Sequence, residues 1–583
     1  MIKPSHYDDD GYPIQWLRSA IPSNTLACLN GLAEDCRRRD VLGPGVEIKL
    51  STFDETNRRV RPDRINRMIE SDGGRALIAF LGVQSNQFPR AVDLAGPFRA
   101  RNIPVCIGGF HVSGCVAMLP KLPEELRAAQ ELGIGLFAGE AEDGRLDGVL
   151  QDAYRGQLQP LYNYMKDLPD LTNQALPILA EQHIRRTAGA MTSVDLGRGC
   201  PFQCSFCTII NVQGRKSRYR TPDDLERIIR ENYAQNIKRF FVTDDNFARN
   251  RNWEAFLDRL IELREDEGLD IKFTIQVDTL CHKIPHFIDK CRRAGVARAF
   301  IGLENINPDS LVGAKKHQNR ITDYRVMLQA WKTAGVITLA GYIIGFPNDT
   351  AQSIRRDIEI IKRELPIDIM EFFILTPLPG SEDHKILYER GVRMDSDMNK
   401  YDTSHVVTEH PLMSNGELQQ AYRDAWGWFF TPEHMETVMR RAAACGVSAG
   451  KVMFLMLWFF FSSRYEGVHP LEGGYFRLRF RRDRRSGFPR ESVVLFYSRY
   501  LWEIARNHFW MAYWLLRMGI VRHRIRRDKR VRDYVDLALT PPEADEFDDL
   551  ALFKETRGGK DAAARKRSFD AMRDAMADAR AAS

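Results

Sequence analysis

The sequence predicts an α/β chain in three successive parts: a doubly wound parallel sheet, a partial (β/α)6 barrel and a helical C-terminal region. Three observations carry this. Short apolar runs at 75–82, 103–108 and 133–138 alternate with helical stretches, the pattern of strands buried on both faces. Between 190 and 375, strand and helix signals alternate at short spacing through six strands. Beyond about 395 the composition shifts: six of the nine tryptophans fall after residue 425, and arginines crowd 477–532.

Taken in order, residues 1–45 form an N-terminal extension with a helix over 23–39, closed by the breaker Gly43-Pro44-Gly45. Residues 46–148 are the first sheet domain. A linker follows over 149–189, where Pro160, Pro169 and Pro177 interrupt regular structure. The barrel occupies 190–394, with strands over 190–196, 239–243, 271–277, 297–303, 336–344 and 368–375. Pro222 after Thr221, and Gly295 and Gly335 just past helix ends, fix its boundaries. A helical aromatic and basic domain spans 395–540: Asn415 caps a helix to 428, and a long aromatic helix covers 491–517. Residues 541–583 read as a mobile tail.

Doubly wound sheets bind ligands at the carboxyl ends of their strands. Those ends carry Gln84 and Ser85, the pair Gly108-Gly109 with His111, and Gly139 with Glu140. Paired glycines let backbone approach a ligand closely, or merely make a tight turn.

The densest chemistry lies in LGRGCPFQCSFC over 196–207, which sets Cys200, Cys204 and Cys207 in C-x3-C-x2-C spacing. Soft thiolates favour zinc or iron–sulfur. A closed structural zinc site needs a fourth ligand, and the other seven cysteines are scattered. The spacing points to a [4Fe–4S] cluster with one open iron, against a zinc knuckle completed by a distant Cys or His.

This loop, with Phe206 before its last cysteine, resembles the cluster motif of the radical S-adenosylmethionine (SAM) enzymes. The resemblance implies that the open iron chelates SAM and that an electron from the cluster cleaves it to methionine and a 5′-deoxyadenosyl radical. Carried along the barrel rim, it puts Thr243, Asp244 and Asp245 beside the SAM amino group, where relatives often have Gly-Gly-Glu. It puts Gln276 near SAM or substrate, Glu304 on the ribose, and Gly341, Ile343 and Gly345 beside adenine. GGFHVS over 108–113 and GEAE over 139–142 resemble the second half of the cobalamin-binding domain that precedes many such barrels. The stretch 50–57, taken as following the first strand, lacks the Asp-x-His-x-x-Gly of proteins that ligate cobalt through histidine. Either cobalamin binds without a histidine on cobalt, with His111 on the nucleotide tail and Gln84 and Ser85 on tail or corrin amides, or the cofactor has been lost.

The resulting expectation is a radical SAM enzyme of the class B, cobalamin-dependent type, methylating an unactivated carbon of a biosynthetic intermediate. Radical cyclisation, oxidation or rearrangement is the alternative. A non-catalytic Fe–S redox protein has no use for the SAM-site pattern at Glu304 and 341–345. RNA methylthiolation requires a second cysteine triplet upstream, where only Cys28, Cys36, Cys106 and Cys115 occur. A net charge of +6 over 583 residues is too mild to imply nucleic acid. The first ten residues lack the apolar segment of a secretory signal, so a cytoplasmic location is expected. The apolar run 452–461 reaches about 15 Å as a helix, half of a bilayer core, and reads as a core helix. The expected partners are a small-molecule substrate, hydrophobic if the aromatic region lines its site, and a low-potential flavodoxin- or ferredoxin-type donor. The basic run 522–530 suits a soluble lid or peripheral contact with a membrane.

Overall fold

The computed structural model describes residues 1–541 and 549–581. They fall into two compact units, one of Met1–Ile275, Thr376–Thr408 and Tyr465–Trp510, the other of Gln276–Leu375, Glu409–Arg464 and Met511–Ser583.

In the first unit, six strands form one sheet in the order Phe53–Asp54, Ile2–Lys3, Ile78–Phe80, Val105–Gly108, Gly135–Ala138, Leu161–Asn163. Every pairing is parallel. Phe80, Phe88, Phe98, Val105, Ile107, Val112 and Leu136 pack its core. Counted along the chain the strand order is 2-1-3-4-5-6, a doubly wound topology with its switch point between Ile2–Lys3 and Ile78–Phe80. Two boundaries of the sequence reading change. The first strand lies inside the expected N-terminal extension, because a two-residue strand leaves no periodicity to detect. The expected linker contributes the edge strand Leu161–Asn163, where Pro160 is tolerated because only its carbonyl is needed, accepting from Leu136 N. The helix expected over 23–39 is Asn24–Arg38, with the Ser23 hydroxyl accepting from Leu26 N.

The second sheet has six strands in the order Ile369–Ile374, Ile337–Ile344, Val296–Glu304, Lys272–Val277, Arg239–Val242, Met191–Val194. Arg239–Val242 runs parallel to both Met191–Val194 and Lys272–Val277, and Ile337–Ile344 to both Val296–Glu304 and Ile369–Ile374; sequential order with intervening helices makes a partial (β/α)6 barrel. Helix Pro222–Ala234 opens with a capping box between Thr221 and Asp224, as Pro222 foretold.

In the second unit, helix Asn415–Phe429 is capped by Ser414 with Glu417, rather than by Asn415. The apolar run lies in helix Ala449–Phe461 and buries Val452, Met456 and Phe459. The long aromatic helix reaches further than expected, Val493–Arg527. Of the supposed mobile tail, 542–548 and 582–583 lie outside the described residues. The remainder includes helices Ala551–Lys554 and Gly559–Ala581. Leu552 and Phe553 are buried, and the Ala551 and Leu552 amides donate to Glu364 at 3.0 and 2.9 Å. That segment is therefore docked, a role its Ala/Arg-rich composition hides. Among the described residues no helix is long and apolar enough to cross a membrane.

Candidate active site

The cysteine loop leaves the carboxyl end of strand Met191–Val194. Its glycines are required by close contacts. A Cβ on Gly197 would fall 2.8 Å from the Asp244 carboxylate, and one on Gly199, at φ +93°, 2.5 Å from Lys216 O. Cys200 N donates to Gly214 O at 3.2 Å, and Cys207 N donates to Cys204 O at 3.1 Å, closing a turn between the last two cysteines. Cys204 is buried, whereas Cys200, Cys207 and Phe206 stay partly exposed. Burial, reinforced by the neighbouring Cys204 sulfur, pushes the Cys207 thiol up to about 12. A cationic centre is what would hold these sulfurs as thiolates. The donor set therefore fits an iron–sulfur cluster.

Asp244 and Asp245, after strand Arg239–Val242, divide the work at this loop. Asp244 accepts from Leu196 N at 3.2 Å, Gly197 N at 2.9 Å and Asn250 Nδ2 at 2.6 Å, so it positions the loop entrance. Burial raises its carboxyl to about 8. Asp245, raised by burial to about 7, accepts only a long 3.3 Å bond from Gly199 N among these amides and stays partly exposed. Thr243 ties back to Val194 O through its amide at 3.0 Å and its hydroxyl at 3.3 Å.

The same unit joins the cluster loop to the first sheet. Arg198 contacts Glu140 at 2.6 Å, Glu142 at 2.7 Å and Asp195 at 2.8 Å, and Arg218 holds the other Glu140 oxygen at 2.5 Å. With Arg220 on Asp195, three arginines balance three carboxylates in a largely buried network. Glu140 thus serves the cluster strand, not a free ligand surface. Gly109, at φ +151°, sits where a Cβ would lie 2.1 Å from Val83 N, so it serves the packing of its own loop; Gly108 lies against Phe137. His111 is fully enclosed, with Nδ1 3.1 Å from Ser85 Oγ. Gly139 N is taken by Ser113 Oγ at 3.0 Å, while Gln84 is exposed.

The true first strand moves the loop after it to residues 4–11, which contain His6. His6 Nε2 lies 3.0 Å from Glu472, and Asn86, from across the switch point, reaches the same carboxylate at 3.3 Å. His6 Nδ1, Asn57 Oδ1 and Asn86 Oδ1 are buried without a hydrogen-bond partner. Orphaned polar atoms at a switch point fit a ligand rich in amides.

In the second unit, Glu304 closes its strand after a bulge, at φ +64° and ion-paired to Lys316. A non-glycine residue held left-handed is strained by about 1 kcal/mol or more, as functional sites often are. Gly341 leaves room beside Phe300: an added Cβ would fall 3.1 Å from that ring and 3.8 Å from a Glu304 oxygen. Gly345 and Phe346 amides both donate to Asp349 at 2.9 Å, fixing the end of the strand that contains Ile343. Gln276 is half-buried near the carboxyl end of Lys272–Val277.

Residues 194–361 match the Radical SAM superfamily model. This stretch is a radical SAM domain. The chain is 28% identical over 365 residues to bacteriochlorophyllide d C-8(2)-methyltransferase of Chlorobaculum tepidum, covering 58% of this chain and 75% of that protein. It is 25% identical to hopanoid C-2 methylase of Rhodopseudomonas palustris, covering 56% of this chain and 61% of the relative. Among solved structures, the radical SAM methyltransferase TsrM from Kitasatospora setae superimposes with a TM-score of 0.54 at 15% identity, over 71% of this chain and 88% of that one. That likeness is one of fold.

Just beyond the matched stretch of the radical SAM domain lies a residue the sequence reading missed. Glu371 pairs in register with Gly341, and so shares the face of Gly341 and Phe373. The opposite face, with Phe372, is covered by Trp426 and Phe429. Glu371 therefore points into the barrel, wholly buried, with neither carboxylate oxygen hydrogen-bonded. Burial raises it to about 8, so it is largely protonated at neutral pH. One acidic residue in an otherwise apolar strand, IMEFFI, was the available signal. A cavity of about 450 Å³ lined by Cys36, Arg39, Ala141, Asp147, Gln174 and Arg227 contains none of the expected site residues.

Proposed function

We propose that the chain is a cobalamin-dependent radical SAM methyltransferase acting on an unactivated carbon of a hydrophobic biosynthetic intermediate. The observation that carries this reading is the Arg198 network, which locks the cluster loop to the carboxyl end of the doubly wound sheet within one unit. When bound, a [4Fe–4S] cluster at Cys200, Cys204 and Cys207 supplies the electron that cleaves SAM, and cobalamin supplies the methyl group. The chain's own residues bind and orient. Asp245 receives the SAM ammonium, with Thr243 and Asp244 shaping the loop behind it. Glu304 accepts from the ribose, with Lys316 holding its carboxylate until then. Gly341 and Ile343 flank adenine, Gly345 ends that wall, and Phe206 and Gln276 border SAM. Gln84, Ser85, Gly108, Gly109 and Gly139 border the cobalamin crevice, in which the orphaned groups of His6, Asn57 and Asn86 find partners. Glu371, neutral and dry, is suited to donate a hydrogen bond within the barrel. Electrons come from a flavodoxin- or ferredoxin-type donor.

Anaerobic reconstitution with cobalamin tests this. The refolded chain should retain one cobalamin whose spectrum shows no nitrogen ligand on cobalt, and should transfer label from methyl-labelled SAM into an apolar metabolite fraction. Reductive SAM cleavage with no retained cobalamin would support the cyclase, oxidase or rearrangement alternative instead.

The hydrophobic substrate class is supported by helix Val493–Arg527. Phe496, Met518, Val521 and Ile525 face inward. On the other side Val494, Leu501, Trp502, Phe509, Leu516 and Ile520 are 77, 62, 67, 65, 68 and 56% exposed. Val494, Trp502, Phe509, Leu516 and Ile520, at successive spacings of eight, seven, seven and four, make one stripe with Leu501 beside it, about 39 Å long at 1.5 Å per residue. Exposed Arg522, Arg524, Arg526 and Arg527 follow at its end. An aromatic stripe ending in arginines matches an anionic bilayer surface, where each basic residue adds about 1 kcal/mol. The chain should float with phosphatidylserine-containing vesicles at low salt and release at high salt. The L501S/W502S/F509S variant should stay unbound, and self-association without vesicle binding would assign the stripe to a second copy.

A further inference from the structure

A second cluster of metal-ligating groups stands apart from the three-cysteine loop. Helix Phe110–Met118 places His111 and Cys115 one turn apart on a single face. Helix Glu124–Glu131 brings Glu125 opposite them. One ligand atom from each of His111, Cys115 and Glu125 lies within 4.8 Å of the others. His111 and Cys115 are buried, and Glu125 is partly so.

The state of His111 points to a ligand. Its Nδ1 is occupied by Ser85 Oγ at 3.1 Å, whereas Nε2, in a wholly buried ring, has no hydrogen-bond partner. That nitrogen is aimed at Glu125, 3.5 Å from Oε1, too far for a good hydrogen bond. The spacing suits two ligands of one tetrahedral ion, whose donors lie about 3.3–3.5 Å apart at zinc–nitrogen and zinc–oxygen distances near 2.0–2.1 Å. A histidine that gives one nitrogen to a hydroxyl and turns the other inward is arranged as metal ligands usually are. Phe88, its ring 4.6 Å from the imidazole, closes the apolar side. His384, also buried with an unpartnered Nδ1, borders the same place and interacts electrostatically with both His111 and Glu125.

We propose that His111 Nε2, Cys115 Sγ and the Glu125 carboxylate bind one zinc-class divalent cation, with water in the fourth position. Binding releases the Cys115 proton and changes no oxidation state. The cation clips together helices Phe110–Met118 and Glu124–Glu131. Its consequence reaches the cluster loop. Helix Phe110–Met118 packs through Gly114 onto the 379–380 turn, where an added Cβ would lie 2.5 Å from Pro379 O. The Asn211 amide, four residues past Cys207, holds Gly380 O at 2.9 Å.

The test uses the full chain carrying C200A/C204A/C207A, so that cobalt(II) cannot bind at the cluster cysteines. Cobalt(II) added anaerobically should bind one per chain and give the intense visible bands of a tetrahedral site with a sulfur-to-metal charge-transfer band. Zinc should displace it and raise the melting temperature. Cys115→Ser should abolish the sulfur band, and Glu125→Gln should weaken binding at least tenfold. In the cluster-bearing parent, metal analysis should find one zinc beside the iron. A chain that binds no cobalt(II), or binds it without a sulfur band, overturns the proposal. Equal uptake by the Cys115→Ser variant also overturns it.

Discussion

Glu371→Gln separates stability from function in a single isosteric change. The carboxyl is fully buried, makes no hydrogen bond, and is raised from 4.5 to about 8 by desolvation. Because the folded value is the higher one, this group's contribution to stability is fully present below pH 4.5 and is lost as pH rises through about 8. At pH 7 the unfolded chain ionises Glu371 freely while the folded one keeps it protonated. Across those 2.5 pH units, at 1.36 kcal/mol each, the penalty is about 3 kcal/mol. Glutamine fits the same space and has no proton to lose. Urea unfolding of parent and variant, followed by tryptophan fluorescence at pH 5, 7 and 8.5, should show the variant gaining less than about 1 kcal/mol at pH 5, about 3 kcal/mol at pH 7 and about 4–5 kcal/mol by pH 8.5. The variant should also lose SAM-dependent turnover, since the acid was retained against this cost. A stability difference that does not change with pH would refute the assignment of Glu371 as a buried, unpaired acid.

Two other perturbations probe the first unit. Gly199→Ala should cut iron loading severalfold without unfolding the chain, because its Cβ meets Lys216 O at 2.5 Å and its φ is +93°; iron analysis after reconstitution reads this. Burial alone would lower His405, but hydrogen bonds to Asp402 and Asp9 raise it to about 10. Its stabilisation is therefore full below about pH 6.5 and lost as pH rises through 10. His405→Gln should cost about 1–2 kcal/mol at pH 6 and nothing near pH 11, by denaturation at each pH, since Asp9 is solvent-screened.

What was legible in the sequence followed periodicity and punctuation. The six barrel strands and the helices between them came within a few residues, because most strands are short apolar runs and Pro222, Gly295 and Gly335 mark helix ends. The cysteine loop was legible because ligand spacing is local. Long-range pairing was not. Ile2–Lys3 is too short for any pattern, yet it lies inside the first sheet, one strand from its edge, and brings His6 to the switch point. Glu140 looked like a ligand contact because it follows a strand; only the fold reveals Arg198 and Arg218 on both its oxygens. His111 looked like a tail contact for the same reason, and its enclosure depends on Ser85, Phe88 and Glu125, residues up to 26 positions away. The C-terminal segment read as mobile from composition, and its docking rests on Glu364, 187 residues upstream.

The most direct test of the central claim is electron paramagnetic resonance of the anaerobically reconstituted, reduced chain before and after SAM. About four irons should bind per chain at Cys200, Cys204 and Cys207, and the open iron's signal should shift on SAM addition, with 5′-deoxyadenosine formed on turnover. Each single alanine substitution at these cysteines should abolish that product. Tight zinc in the loop with no iron–sulfur absorbance, or a reduced cluster whose spectrum SAM leaves unchanged, would contradict the account.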